Sequence, residues 1–381
     1  MEQTRLPAVF IRGGTSKAVF FKGSDLPADK TLRDRIFCHI MGSPDPYGRQ
    51  LDGLGGGLSS LSKVVIIERS TRPDTDIEYT FVQIAIDEAV ADYGAMCGNM
   101  SSSVGPFAVD EGMVETCGDQ ATVRVYNTNT DKHYTATFPI KDGKSVESGQ
   151  FEIPGVAGTG AKIRLDYYAP GGAATGTILP SGNVCDVLSV DGIGEIEVSM
   201  VDASNPVVFV RASDLGRKAV ELPADLDNDA ALMQKLDDIR RAGSVAMGMS
   251  ATPEQAILAN PKIAMIAAPQ DFTALDGRTY NSTDYHITVR AVSMRNVHRA
   301  VPLTTAMCVA TAVCIPGTIA QQIAAVGHPT LVGNPSGLLP VEAEVQVGSQ
   351  GIDVVATTTY RTQRRIMEGS VLYPTDFLEN T

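Results

Sequence analysis

The chain has 381 residues, 43% of them hydrophobic and 20% charged, enough for two domains with separate cores and unlike a disordered composition. A formal net charge of -13 argues against nucleic-acid and anionic-membrane partners, since both are met by positive surfaces. Met1 to Phe10 lacks a charged-then-apolar leader pattern and no segment is apolar for long enough to span a bilayer, so a cytoplasmic protein is expected.

Taken in order, the chain reads as short β-rich runs separated by Gly, Pro, Asp and Asn. The first two, AVFIR and KAVFF, flank RGGTSK at Arg12 to Lys17. There Thr15, Ser16 and Lys17 offer hydroxyls and charge to an anion, although a plain hairpin explains the turn as well. A helix is predicted over Thr31 to Ile40. DGLGGGLSSLSK then leads into the strand KVVIIE, with Lys63 at its first position. Gly53, Gly55, Gly56 and Gly57 permit close backbone approach to a ligand, and a desolvated lysine there could act as a base. The competing reading is an ordinary strand-edge lysine.

After YTFVQIAI comes MCGNMSSS at Met96 to Ser103, opening a helix predicted from about Asn99 to Gly112. Gly98 lets the chain turn, and Asn99, Ser101, Ser102 and Ser103 suit a helix start. Cys97 would sit where free N–H groups and the positive dipole end stabilise a thiolate or a substrate anion. A buried cysteine in a capped helix is the alternative. The strands ATVRVYN, KIRLDY, IEVSMV and VVFVRA follow, and VDASNPVVF places Asn205 before Pro206, which biases it to an extended backbone. Helix Asn228 to Ala242 precedes KIAMIAA and ITVRAVSM. SMRNVHRAVPLTT then gathers Arg295, His298 and Arg299, with Arg290 upstream, ahead of a helix predicted over Pro302 to Ala325.

The apolar, small-residue segments CGNMSSSVGPFAV and LTTAMCVATAVCI look like counterparts. A helix apolar all round must be surrounded by protein, and in a strand-rich chain a curved sheet is the simplest wrapping, so two related domains are inferred. The six cysteines form no CxxC pair, and the five histidines are too dispersed for a metal cluster. No GxSxG appears and no GxGxxG follows a strand within a βαβ unit, so neither a hydrolase nor a redox cofactor is expected.

RGGTSK, DGLGGG with SK before VVII, YGAMCGNMSSSVG, VDASNPVVFV, SMRNVHRAVPLTTAMC and RTQRRIMEG together resemble the PrpF-type isomerases, in blocks from Val9 to about Gly369. That group includes 2-methylaconitate cis-trans isomerase, 4-oxalomesaconate tautomerase and methylitaconate isomerase. The resemblance implies an α+β, diaminopimelate epimerase-like fold: two similar domains, each a mixed sheet around a central helix, with the active site in the cleft between them. The domains expected are residues 1–187, joined by a returning segment 362–381, and 188–361.

Carried over residue by residue, the catalytic lysine and cysteine fall on Lys63 and Cys97. The substrate-binding set becomes Thr15, Ser16, Lys17, Gly98, Asn99, Met100, Ser101, Asn205, Arg295, Thr304, Thr305 and Ala306. The second catalytic cysteine of the epimerases has no counterpart among Leu303 to Ala306, which speaks against racemase or epimerase activity. The implied function is cofactor-independent isomerisation of unsaturated di- or tricarboxylates by proton abstraction and return. The 2-methylaconitate reaction of propionate catabolism is the first choice, with 4-oxalomesaconate tautomerase or methylitaconate isomerase as alternatives. No metal or other cofactor is expected, the only partner named is the small polycarboxylate, and homo-oligomer formation stays open. A non-catalytic binding protein for organic acids is the alternative of another class.

Overall fold

The computed structural model describes residues 3–378 apart from 95, 259, 294, 349 and 350. The expected domain ends at 1, 2 and 379–381 lie outside the described residues. The chain forms two compact units, Met1–Asp166 with Tyr360–Thr381, and Tyr167–Thr359.

In the first unit β1 (Gln3–Gly13) and β2 (Ser16–Lys22) form an antiparallel hairpin, and β2 runs parallel to β3 (Lys63–Arg69). β4 (Ile77–Ile84) lies antiparallel to β3, with the short β5 (Ala91–Asp92) across its end. β6 (Gln120–Asn127) is parallel to β4 and antiparallel to β7 (Lys132–Lys141), whose other neighbours are β8 (Lys144–Ser145) and β9 (Ile163–Tyr168). The last strand, Gln363–Pro374, pairs with β1 over its whole length and is followed by a 3-10 turn at Thr375–Leu378.

Side chains alternate across this sheet. Leu6, Ala8, Val19, Phe21, Val64, Ile66, Val82 and Ile84 pack with Leu32, Ile36, Phe37, Ile40 and Met41 of helix α1 (Lys30–Met41). Residues of opposite parity face helix α2 (Gly98–Asp110), as Phe20 shows by meeting Phe107 with ring centroids 5.4 Å apart. Every residue of α2 from Met100 to Val109 is buried, the condition set by its apolar, small-residue composition. At Gly105 an added Cβ would lie 2.8 Å from the Phe138 ring, so the missing side chain lets the sheet close on the helix.

The second unit repeats this order. β10 (Asp186–Val190), β11 (Gly194–Ala203) and β12 (Asn205–Arg211) are antiparallel neighbours, and β12 runs parallel to β13 (Lys262–Ala267). Helices α3 (Pro223–Asp227) and α4 (Ala230–Ala246) stand between those last two strands in sequence. After the small hairpin β14 (Phe272–Thr273) and β15 (Thr279–Tyr280), β16 (Ile287–Ser293) is antiparallel to β13, with β17 (Asn296–Val297) across its end. β18 (Thr330–Asn334) is parallel to β16 and antiparallel to β19 (Gly337–Gly348), and β19 pairs with β20 (Gly351–Arg361). Hairpin, parallel, antiparallel, parallel, antiparallel is the succession from β1 to β7 and from β11 to β19. Helix α5 (Leu303–Cys314) takes the place of α2, and α4 packs on the other face, as α1 does.

One predicted element is corrected. The single helix over Pro302 to Ala325 is two, α5 and α6 (Ile319–Ile323). Pro316 lacks an N–H to continue the helix, Gly317 takes a left-handed φ of 89°, and Thr318 caps the new start by accepting from Gln321 N. Among the described residues no helix is long and apolar enough to cross a membrane.

Candidate active site

Register sets the first unit's site. Lys63 opens β3 directly opposite Gln83, followed by Val65 opposite Phe81 and Ile67 opposite Tyr79. Their parity is opposite to that of the α1-facing Val64 and Val82, so Lys63, Gln83, Phe81 and Tyr79 share the α2 face. Lys63 is 6% exposed, its Nζ donates to Gln83 Oε1 at 2.5 Å and lies 5.0 Å from the Phe81 ring centroid. Gln83 in turn donates to the carbonyls of Ser59 and Ser62, at 3.0 and 2.9 Å, which fixes its amide so that the oxygen faces the lysine.

Cys97 is the N-cap of α2, half-buried and with no side-chain capping bond. Its carbonyl accepts from Ser101 N at 3.0 Å, Ser101 Oγ at 3.1 Å and Tyr79 Oη at 3.3 Å. That carbonyl is therefore held in place, and the Gly98, Asn99 and Met100 N–H groups that follow have no acceptor within the helix. Burial pushes the Lys63 ammonium below its usual range, while the negative charge available on Cys97 pulls it back up. The two side chains are thus in electrostatic reach, and a partly desolvated amine stands beside a thiol at the positive end of a helix.

The Arg12 to Lys17 turn closes on the same helix end. Asn99 Nδ2 donates to Thr15 Oγ1 at 3.0 Å and Ser16 Oγ at 3.4 Å, and Asn99 Oδ1 accepts from Thr15 N at 3.4 Å and Arg361 Nε at 3.3 Å. Gly14, at φ 51°, leaves no room for a Cβ, which would sit 2.3 Å from Asn99 Oδ1.

Several expected site residues have other positions. Lys17 has the parity of Val19 and Phe21 and lies over the Phe10 ring, 5.5 Å from its centroid, on the α1 face and away from Cys97. Ser101 is fully buried and spends both its N–H and its hydroxyl proton on the Cys97 carbonyl, so its donors orient the cap. The Met100 side chain is fully buried too, leaving only its amide for binding. The loop glycines serve packing: an added Cβ at Gly53 would meet Gly42 N at 2.1 Å, and one at Gly55 would meet Gln50 Oε1 at 2.3 Å. Buried Gln50 then ties that loop together through Ser43, Gly57 and Ser62.

In the second unit Asn205 begins β12, its amide donating to the Pro206 carbonyl at 3.0 Å. Arg295 is exposed, at φ 63° in the turn between β16 and β17. Thr304, Thr305 and Ala306 form the first turn of α5, but Ala306 N is already bonded to the Pro302 carbonyl at 2.9 Å and has nothing left for an anion. Among the described residues no group of three or more His, Cys, Asp or Glu is placed to hold a metal ion. Sequence reasoning missed Gln83, Phe81 and Tyr79; only the β3–β4 register brings them to Lys63 and Cys97.

The family model described as PrpF protein matches residues 3–374. The 3-methylitaconate isomerase of Eubacterium barkeri is 42% identical over 97% of both chains. The 2-methyl-aconitate isomerase of Shewanella oneidensis is 36% identical over 98% of both. A crystal structure of methylitaconate-delta-isomerase superposes with a TM-score of 0.91 at 41% identity, covering 99% of this chain and 98% of that one. A hydroxyproline epimerase from Agrobacterium vitis, at 12% identity and a TM-score of 0.52 over 97% and 92% of the two chains, shares the fold alone. The expected α+β, diaminopimelate epimerase-like architecture is therefore the one found, and the non-catalytic alternative gives way to an enzyme. With its motifs, fold and full-length relatives in agreement, the chain belongs to the PrpF family and is an isomerase.

Proposed function

We propose that the protein moves a proton across an allylic system of an unsaturated polycarboxylate, with Lys63 as base and Cys97 as acid. The observation that carries this is the buried Lys63 amine on the same sheet face as Tyr79, whose hydroxyl donates to the carbonyl of Cys97 at the α2 N-cap. Neutral Lys63 takes the allylic proton, and the electron pair delocalises into the adjoining carboxylate. The free N–H groups of Gly98, Asn99 and Met100 stabilise the charge that develops there. Where the double bond moves, Cys97 then delivers its proton to the other end of the allylic system, leaving an ammonium and a thiolate that attract each other; where the change is cis-trans, the anion rotates about the former double bond and Lys63 returns the proton to the carbon it left. Proton return from Lys63 to Cys97 restores the starting state, and the chemistry calls for no cofactor.

For the substrate, 2-methylaconitate is the first choice, supported by the 36% identity to a 2-methyl-aconitate isomerase, and the 42% identity to a 3-methylitaconate isomerase supports methylitaconate as the second reading. Incubating each acid, and 4-oxalomesaconate, with the protein in deuterated water and following isomerisation and deuterium uptake by NMR separates them. Turnover should fall at least about 10³-fold in Lys63→Met and in Cys97→Ser with the substrate still bound. Near-normal exchange in either variant would falsify the acid–base pair.

A further inference from the structure

Three residues of the site, Gln83, Phe81 and Tyr79, stand on β4, and one edge of that strand is covered by two neighbours that do not meet. β6 pairs with it in parallel as far as Tyr79, opposite Asn127, and β5 pairs antiparallel from Gln83, opposite Asp92. Phe81 falls between them. One side chain from the turn after β6 closes the interval: Asn129 Oδ1 accepts from Phe81 N at 2.8 Å, and Nδ2 donates to the Phe81 carbonyl at 2.9 Å. These are the two bonds a neighbouring strand would make. The same Nδ2 donates to the Tyr93 carbonyl at 2.8 Å, immediately past β5.

This amide has no freedom left. Both its protons are given to carbonyls, and its oxygen also receives Asn127 Nδ2 at 3.0 Å. Fully buried Asn127 is fixed in turn, since its Oδ1 accepts from Thr130 N at 3.1 Å and Thr130 Oγ1 at 2.8 Å, and its Nδ2 also donates to the Tyr79 carbonyl at 3.1 Å. By sequence alone NTNTDK, residues 127–132, is an ordinary turn between two strands. In the fold Asn129 joins two segments that carry the site. The Phe81 ring lies 5.0 Å from Lys63 Nζ, and Tyr93 is four residues ahead of Cys97 on the segment leading into α2. Removing the amide takes partners from the Phe81 N–H and from two carbonyls at once.

We propose that Asn129 is a positioning residue for the Lys63 and Cys97 pair. Its single amide splices β4, which lays Phe81 against the lysine, to the segment that delivers the cysteine, and it touches neither. The role in turnover rests on the acid–base mechanism proposed above; the splice rests on the hydrogen bonds alone.

The test compares Asn129→Ala, Asn129→Asp and Thr130→Ala in the full-length protein, with whichever of the three candidate acids turns over as substrate. Asn129→Asp keeps the acceptor for Phe81 N and loses the donated bonds, while Thr130→Ala loosens the same turn without touching Phe81 or Tyr93. Both Asn129 variants should lower kcat about 10- to 100-fold with a smaller change in KM, and Thr130→Ala should stay within about twofold in both. In Asn129→Ala, which adds no charge, the pH limb of log kcat/KM should move up towards the ordinary lysine value of 10.5, as water reaches the amine. Hydrogen exchange should quicken at least about threefold at residues 79–83 and 97–100 in both Asn129 variants. Should Asn129→Ala not fold, Asn129→Asp decides through kcat and exchange. A kcat within twofold of the parent in the folded Asn129 variants overturns the proposal. So does a lowered kcat with the pH limb unmoved and exchange quickened evenly over the chain, which marks a general loss of stability. A Lys63→Met variant that still turns over, beside Asn129 variants with lowered kcat and faster exchange at 97–100, would keep Asn129 as a positioning residue of the α2 start and sink the acid–base pair.

Discussion

Lys63 Nζ donates to Gln83 Oε1 at 2.5 Å across a directly opposed pair of the β3–β4 register, and Gln83 is itself held by the Ser59 and Ser62 carbonyls. The lysine is thus aimed by a neutral acceptor, which orients the amine without adding charge. Gln83→Leu should lower kcat by roughly 10- to 100-fold with a smaller change in KM, because the amine loses its direction but not its chemistry. Gln83→Glu keeps an acceptor and adds a negative charge that favours the ammonium, so its deficit should shrink as pH rises. A Gln83→Glu profile parallel to that of the parent would remove Gln83 from any role in positioning the base.

The depressed pKa of Lys63 gives the pH profile a sign. Burial is the larger cause and lowers it below the ordinary lysine value of 10.5, so the neutral amine appears at lower pH than in an exposed lysine. The rate with a fixed substrate should climb with pH through a value below 10.5. Adding a positive charge nearby, as in Phe81→Lys, should shift that limb further down. A limb at or above the ordinary lysine value, measured as log kcat/KM against pH, would assign the base elsewhere.

The same shift makes a stability prediction. A cation whose folded pKa is depressed binds fewer protons in the folded state, so between the folded and unfolded pKa values stability rises with pH, and below both the full desolvation penalty is present. Lys63→Met should therefore raise the melting temperature at neutral pH, by roughly 2–4 °C for each kcal/mol relieved. The advantage over the parent should narrow as pH approaches 10.5. Calorimetry at pH 7 and pH 10 checks both halves, and a variant less stable than the parent at pH 7 would show Lys63 to be a structural cation.

Much of this was legible because composition acts locally. The helix around Val104 is small and apolar on every side and had to be enclosed, and Cys97 preceded by turn residues and followed by Asn99 and serines had to start it. What the chain does not declare is pairing. Gln83 sits in YTFVQIAI as one polar residue in an alternating strand, and only the opposed partner identifies it. Lys17 is set apart from Ser16 for the same reason, since successive residues of a strand point to opposite faces and only the pairing says which of them faces α2. The break at Pro316 and Gly317 was written in the sequence and outweighed by the apolar run around it. The long polar strand Gln363–Pro374 has little hydrophobic signature, with exposed residues over much of its length, and takes its place from its pairing with β1.

Gly14 and Gly118 separate the two costs of a left-handed glycine. Both have positive φ, 51° and 79°, but a Cβ at Gly14 would strike Asn99 Oδ1 at 2.3 Å while one at Gly118 would meet nothing within 4 Å. Gly118→Ala should cost only the conformational strain, about 1 kcal/mol, with turnover unchanged. Gly14→Ala carries a similar strain and also pushes away the Asn99 amide that ties Thr15, Ser16 and Arg361 to the start of α2. It should lose about 1–3 kcal/mol and reduce kcat/KM by at least about 10-fold, because the N–H groups of Gly98, Asn99 and Met100 move with that helix end. Denaturant midpoints and steady-state kinetics on the two variants decide it. Equal kinetics in both would mean that the hairpin turn supports the fold without setting the position of the catalytic helix start.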